Sequence, residues 1–188
     1  MEQLRNPYLK IIIGPMFSGK TTELIRLYQI SHNEKKIIIN HSLDKRYTDI
    51  PSITSHNKVS LPASTMKQLK DIFTSDLINN DEFYIDEAQF YEDLFESILK
   101  LMDMGKKVII CGLDGDFKIK PFGNMDILKL IPYANHVSKF KANCYMCNQP
   151  AAYTKKIELD PTVNYQQIIV GSYDIFQPAC YIHHKNKK

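Results

Sequence analysis

The run Gly14-Pro-Met-Phe-Ser-Gly19-Lys20-Thr21 matches G-x-x-x-x-G-K-[ST] at every fixed position. It follows directly on the apolar run Leu9–Ile13 and opens a stretch in which Leu24, Ile25, Leu27 and Tyr28 recur on one helical face. Strand, glycine-bearing turn, helix is the context in which this motif carries a mechanism. Its glycines let successive backbone N–H groups converge on a phosphate, and the helix N-terminus adds partial positive charge. The loop thus comprises Gly14, Pro15, Met16, Phe17, Ser18 and Gly19, with Lys20 reaching the β- and γ-phosphates and Thr21 ligating Mg²⁺.

The same rhythm continues downstream. Lys36–Asn40 is a short β-branched run, and Ser64 stands before Met66, Leu69, Ile72, Phe73 and Leu77, a spacing that predicts a capped helix. Glu82–Asp86 is a third strand candidate. Phe90, Leu94, Phe95, Ile98, Leu99 and Met102 mark an amphipathic helix that Gly105 ends, and Val108–Cys111 is a fourth strand. Such alternation predicts an α/β fold, a largely parallel sheet with helices on both faces and ligands at the carboxyl ends of its strands.

One of those strand ends carries acid: Tyr84-Ile85-Asp86-Glu87 leaves the sheet with two adjacent carboxylates. In proteins with this phosphate loop, an Asp so placed holds Mg²⁺. Asp86 is assigned that role, and Glu87 is the nearest group able to take a proton from an acceptor hydroxyl. A strand ending in Asp-Glu can equally be a charge pair at a helix start; the phosphate loop favours chemistry.

From about Ala142 the helical period fades and cysteines appear, so the chain divides into a nucleotide-binding core over 1–141, a metal-bearing module over 142–184 and a basic tail over 185–188. Thr154–Gly171 reads as a long loop with β-branched pieces. Cys144-Tyr-Met-Cys147 and Cys180-Tyr-Ile-His183 are two C-x₂-[CH] knuckles. Together they supply four ligands, a closed tetrahedral set suited to structural Zn²⁺, with His184 an alternative to His183. Cys111 lies inside a core strand and is read as a small buried residue outside the site.

The 24 Lys and Arg against 21 Asp and Glu leave a formal charge of +3, too small and dispersed for a nucleic-acid protein. No apolar run approaches the ~20 residues that span a bilayer, and the N-terminus has no leader pattern, so a cytoplasmic protein bound to neither membrane nor nucleic acid is expected. A zinc-bearing ATPase on nucleic acid is the competing class and would need a basic face. An inactive binding module would need a broken constellation, whereas Lys20, Thr21, Asp86 and Glu87 are all present.

These constellations, with Asp44-Lys45-Arg46-Tyr47, Asp-Glu-Ala-Gln89-Phe90, Leu113-Asp-Gly-Asp-Phe117, Lys120-Pro-Phe-Gly and Ala-Tyr-Thr154-Lys, closely resemble the cellular, zinc-containing thymidine kinase family from about Ile11 to His183. The resemblance implies a RecA-like P-loop core with a zinc-binding lasso module. It implies transfer of the ATP γ-phosphate to the 5′-hydroxyl of thymidine, giving dTMP in nucleotide salvage, with deoxyuridine an open second acceptor. It also implies a homotetramer and feedback by dTTP. On this likeness Asp44, Lys45, Arg46 and Gln89 join the ATP/Mg²⁺ site. Met16, Phe90 and Phe117 line the nucleoside pocket. Thr154, with Gln167, Ile168, Ile169, Val170 and Gly171 of the lasso, closes over the base, and Phe176 nears the sugar. Two positions depart from the pattern: Phe176 stands where the family often has Tyr, and His183 where some members have Cys.

Overall fold

A computed structural model describes residues 6–43, 52–54, 60–157 and 175–186. In chain order the strands are β1 (Tyr8–Ile13), β2 (Lys36–His41), β3 (Ser52–Thr54), β4 (Ser60–Pro62), β5 (Ser64–Met66), β6 (Glu82–Ile85), β7 (Lys107–Gly112), β8 (His136–Lys139), β9 (Ala142–Asn143), β10 (Pro150–Ala151), β11 (Tyr153–Lys156) and β12 (Phe176–Ala179). The α-helices are α1 (Lys20–Ile30), α2 (Leu94–Asp103), α3 (Asp126–Lys129) and α4 (Tyr181–Lys185).

Six strands form one sheet in the order β5-β2-β6-β7-β1-β8, with every pairing parallel. Successive side chains leave a strand on opposite faces, and here the two faces feed two apolar layers. Leu9, Ile11, Ile13, Phe83, Ile85, Val108 and Ile110 pack with Leu94, Ile98 and Leu101 of α2. Ile12, Ile38, Tyr84, Ile109 and Cys111 pack with Leu24 and Ile25 of α1. Strands buried on both sides read as continuous apolar runs, which is why β1, β2, β6 and β7 were visible in the sequence.

Both long helices end on specific contacts. Gly105, at φ 71, turns the chain out of α2, with its N–H on the Met102 carbonyl and the Lys106 N–H on that of Leu101, the paired closing bonds of a Schellman ending. The last turn of α1 carries no basic residue. Lys36 at the start of β2 supplies one, its Nζ donating to the carbonyls of Tyr28 at 2.8 Å and Ser31 at 2.5 Å.

The helix expected after Ser64 is not an α-helix. Ser64–Met66 is a strand against β2, and Leu69–Thr74 and Asp76–Asn79 are 3₁₀ turns. Met66, Leu69 and Ile72 are three residues apart, a spacing that suits three residues per turn as well as 3.6. The Asp93 carboxylate also takes the Leu69 and Lys70 N–H groups, at 3.1 and 2.7 Å. Phe90 lies in a 3₁₀ turn before α2, outside the helix itself. The loop expected from Thr154 begins as a strand, β11, paired antiparallel with β12, and Thr154 is buried.

Candidate active site

The sheet order sets the carboxyl ends of β6, β7 and β1 side by side. At the end of β1 the chain turns at Gly14, φ 152, where a Cβ would come within 2.5 Å of the Phe140 carbonyl oxygen. Only glycine fits that approach. Phe17 and Gly19 also take positive φ, 63 and 84, and Gly19 caps α1. The N–H groups of the first helical turn have no intrahelical partner, so they stay available for an anion. The Pro15 carbonyl accepts hydrogen bonds from Lys20 Nζ at 2.7 Å and Ser18 Oγ at 2.8 Å. Burial pushes the Lys20 ammonium below its usual range, against the opposing pull of Glu87, Cys111, Asp86 and Asp114.

Asp86 and Glu87 leave β6 facing this loop, and separate partners hold each. The buried Asp86 carboxylate accepts the Thr21 hydroxyl on Oδ2 at 3.0 Å and the Cys111 thiol on Oδ1 at 2.7 Å. Burial, then the charge of Glu87, pushes Asp86 up to about 6, while donors from Cys111, the Glu87 backbone and Thr21 hold it back. Glu87 sits in left-handed backbone, φ 51 and ψ 39, a conformation a non-glycine residue adopts at some energetic cost. The Gln89 amide bridges it to β7: Nε2 donates to Glu87 Oε2 at 2.5 Å, and Oε1 accepts the Leu113 N–H at 2.9 Å. At Gly112 a Cβ would stand 2.5 Å from that Oε1, so the bridge needs glycine there.

The structure therefore brings Lys20, Thr21, Asp86, Glu87 and Gln89 to one crevice. Cys111 is a core residue, as expected, but its thiol reaches the site. The sequence carried no signal for this, because it depends on the parallel register that pairs Ile85 with Ile110 and so sets Cys111 beside Asp86.

Of the residues assigned by resemblance to the nucleoside, Met16 and Thr154 meet directly, the Met16 N–H donating to Thr154 Oγ1 at 3.0 Å. The aromatic ones form two sets. Phe90 packs against Phe122 and His41, with ring centroids at 5.8 and 5.7 Å, and Phe117 against Phe176 at 6.0 Å. Asp44, Lys45, Arg46, Gln167, Ile168, Ile169, Val170 and Gly171 lie outside the described residues.

Further along the chain, Cys144, Cys147, Cys180 and His183 converge, their ligand atoms all within 4.8 Å of one another. His183 Nδ1 lies 3.4 Å from Cys144 Sγ and 3.3 Å from Cys180 Sγ. His184 turns the other way, its Nε2 3.0 Å from the Phe117 carbonyl, so His183 completes the set. Burial alone would raise the Cys144 thiol, yet hydrogen bonds from the backbone of Cys180, Met146 and Cys147 and from His183 bring it down to about 6. Three sulfurs and one imidazole this close, one of them readily ionised, suit a tetrahedral Zn²⁺. Lys155 ties the short helix α4 to β11, its Nζ donating to the carbonyls of His183 and Asn186.

A parallel sheet with a glycine-bearing loop at one strand end and two carboxylates at the end of a strand two places away has the form of an α/β phosphoryl-transfer enzyme. The sequence profile described as "Thymidine kinase" matches residues 7–184, and the chain belongs to that family. The thymidine kinase of Yaba monkey tumor virus (strain VR587) is 39% identical over 179 residues, covering 94% of this chain and 93% of that protein. The cytosolic thymidine kinase of Cricetulus griseus is 36% identical over 175 residues, covering 92% and 70% respectively.

Proposed function

We propose that this chain phosphorylates thymidine, transferring the γ-phosphate of ATP to its 5′-hydroxyl to give dTMP. Family membership supports the reaction. The observation that carries the division of labour is the placement of two adjacent carboxylates, each restrained by its own donors, opposite Lys20. Lys20 and the backbone N–H groups at the start of α1 hold the phosphate chain and stabilise charge as it shifts during transfer. Thr21 and Asp86 present the oxygens that would hold Mg²⁺, which when bound neutralises charge on the phosphate oxygens. Glu87, oriented by Gln89, accepts the proton of the 5′-hydroxyl.

The Met16–Thr154 hydrogen bond supports a pocket shared by the phosphate loop and β11. Phe117 and Phe176 supply apolar surface for sugar and base, and the segment 167–171 reads the base through its main chain. The Cys144, Cys147, Cys180 and His183 set has no ligand position to spare for substrate, so its zinc is structural. The remaining reading is of a cytoplasmic homotetramer open to feedback by dTTP. No helix among the described residues is long and apolar enough to cross a membrane. ATP-dependent phosphorylation measured across the four deoxynucleosides tests the assignment. The expected outcome is thymidine 5′-monophosphate as the dominant product; equal turnover of all four would overturn it.

A further inference from the structure

Asp86 is buried just past the end of β6, and its carboxylate can rotate about its own side-chain bonds unless something pins it. Two side-chain donors do so from different elements. Thr21 Oγ1, on the first turn of α1, donates to Oδ2; Cys111 Sγ, near the end of β7, donates to Oδ1. Cys111 continues the apolar face that Ile109 presents to Leu24 and Tyr84. A valine or alanine would serve that packing equally well. What they lack is a proton to give, and a thiol has one.

We propose that Cys111 is a positioning residue for the phosphoryl-transfer site: its thiol fixes the rotation of Asp86 so that this carboxylate is presented to the metal in one orientation. The proposal rests on the reading of Asp86 as the metal-side carboxylate. Removing the thiol leaves Asp86 with the Thr21 hydroxyl and the Glu87 backbone as its donors and one oxygen freer to turn, and a buried acceptor that loses a partner is costly. A divalent ion would then meet a ligand that must first be reoriented, and affinity for the ion falls. The nucleotide's own contacts with the loop are untouched.

The test uses Mn²⁺ as the probe, its binding to the full-length protein followed by electron paramagnetic resonance in the presence of ADP. Affinity for ADP without metal, thermal stability and kcat are measured alongside. Cys111→Val keeps volume and removes the donor; it is expected to weaken Mn²⁺ about tenfold, as loss of a hydrogen bond to a charged group does. Metal-free ADP affinity should stay within about twofold of wild type, since no phosphate contact changes. Cys111→Ser restores a donor and is expected to restore Mn²⁺ affinity. Cys111→Ala serves as the second donor-less variant should the β-branched side chain disturb the strand. Asp86→Asn separates the two ideas. If it loses Mn²⁺ while the Val and Ala variants keep it, Cys111 is only a core residue. If Asp86→Asn binds Mn²⁺ like wild type, the reading of Asp86 itself fails and the proposal with it. A Ser variant as weak as Val would also overturn it, because the donor would then not be what matters.

Discussion

At the scale of single residues the site is two acids in contact with different surroundings. Glu87 is held by an amide that is itself anchored on the Leu113 N–H, so Glu87→Gln keeps the shape of the group and removes its basicity. We expect kcat with thymidine to fall by roughly 10²- to 10⁴-fold while ADP affinity is retained; a variant with near wild-type kcat and an unchanged pH profile would show that another group takes the proton. Asp86 makes a prediction about stability. Its folded value, raised to about 6 from 3.8, means that the folded protein binds a proton more tightly than the unfolded chain does. That contribution is fully present below about pH 4 and is lost as pH rises through about 6. In chelator, thermal denaturation between pH 4 and 7 should therefore show wild type losing stability relative to Asp86→Asn as pH rises. Parallel curves for the two proteins would contradict this. Of these residues Lys20, Thr21, Asp86 and Glu87 were legible from motif and strand context. The role of Cys111 was not, since a thiol's partner depends on which strands are neighbours, and periodicity does not reveal the order of strands.

At the scale of elements, β9 pairs with β10 and β11 with β12, beside the short α4, and the buried apolar residues described there are few, among them Ala142, Cys144, Ala151, Phe176 and Ala179. So little apolar area cannot by itself offset the cost of ordering those residues. Removal of zinc by a chelator is therefore expected to raise hydrogen exchange across 142–157 and 175–186 and to raise the KM for thymidine, while the six-stranded sheet keeps its protection. Uniform exchange before and after chelation, or one equivalent of zinc being absent from protein purified without chelator, would contradict it. The elements that sequence reasoning found are those whose pattern is self-contained: β1, β2, β6, β7, α1 and α2 each bury a run or a stripe of their own. The ones it missed depend on partners. β8 is a mostly polar edge strand defined by its pairing with β1, and β11 by its pairing with β12. The 3₁₀ turns after Met66 answer to Asp93, which lies 23 and 24 residues further on.

At the scale of the whole molecule, selectivity among nucleosides is expected to follow from main-chain groups of the 167–171 segment. Cytosine presents an acceptor at N3 and a donor at C4 where thymine presents the reverse, and each mismatched buried group costs about 1 to 3 kcal/mol. Steady-state kcat/KM should accordingly favour thymidine over deoxycytidine by roughly 10²-fold or more, with comparable values for the two pointing to a broad-specificity kinase. The sheet order has a different consequence, one of timing. β1 lies between β7 and β8, so Ile11 has no ladder partner until Ile110 has been synthesised, and its second, Val137, follows later still. Chains emerge N-terminus first, and pairings between distant segments form slowly. The phosphate loop thus belongs to one of the earliest segments made and one of the last to take shape. Nascent chains stalled before Lys107–Gly112 clears the ribosome should leave Tyr8–Ile30 open to protease, and longer ones should protect it. Through most of synthesis the run Leu9–Ile13 travels as bare apolar strand, which makes the stretch just before the nucleotide loop this chain's main liability to aggregation.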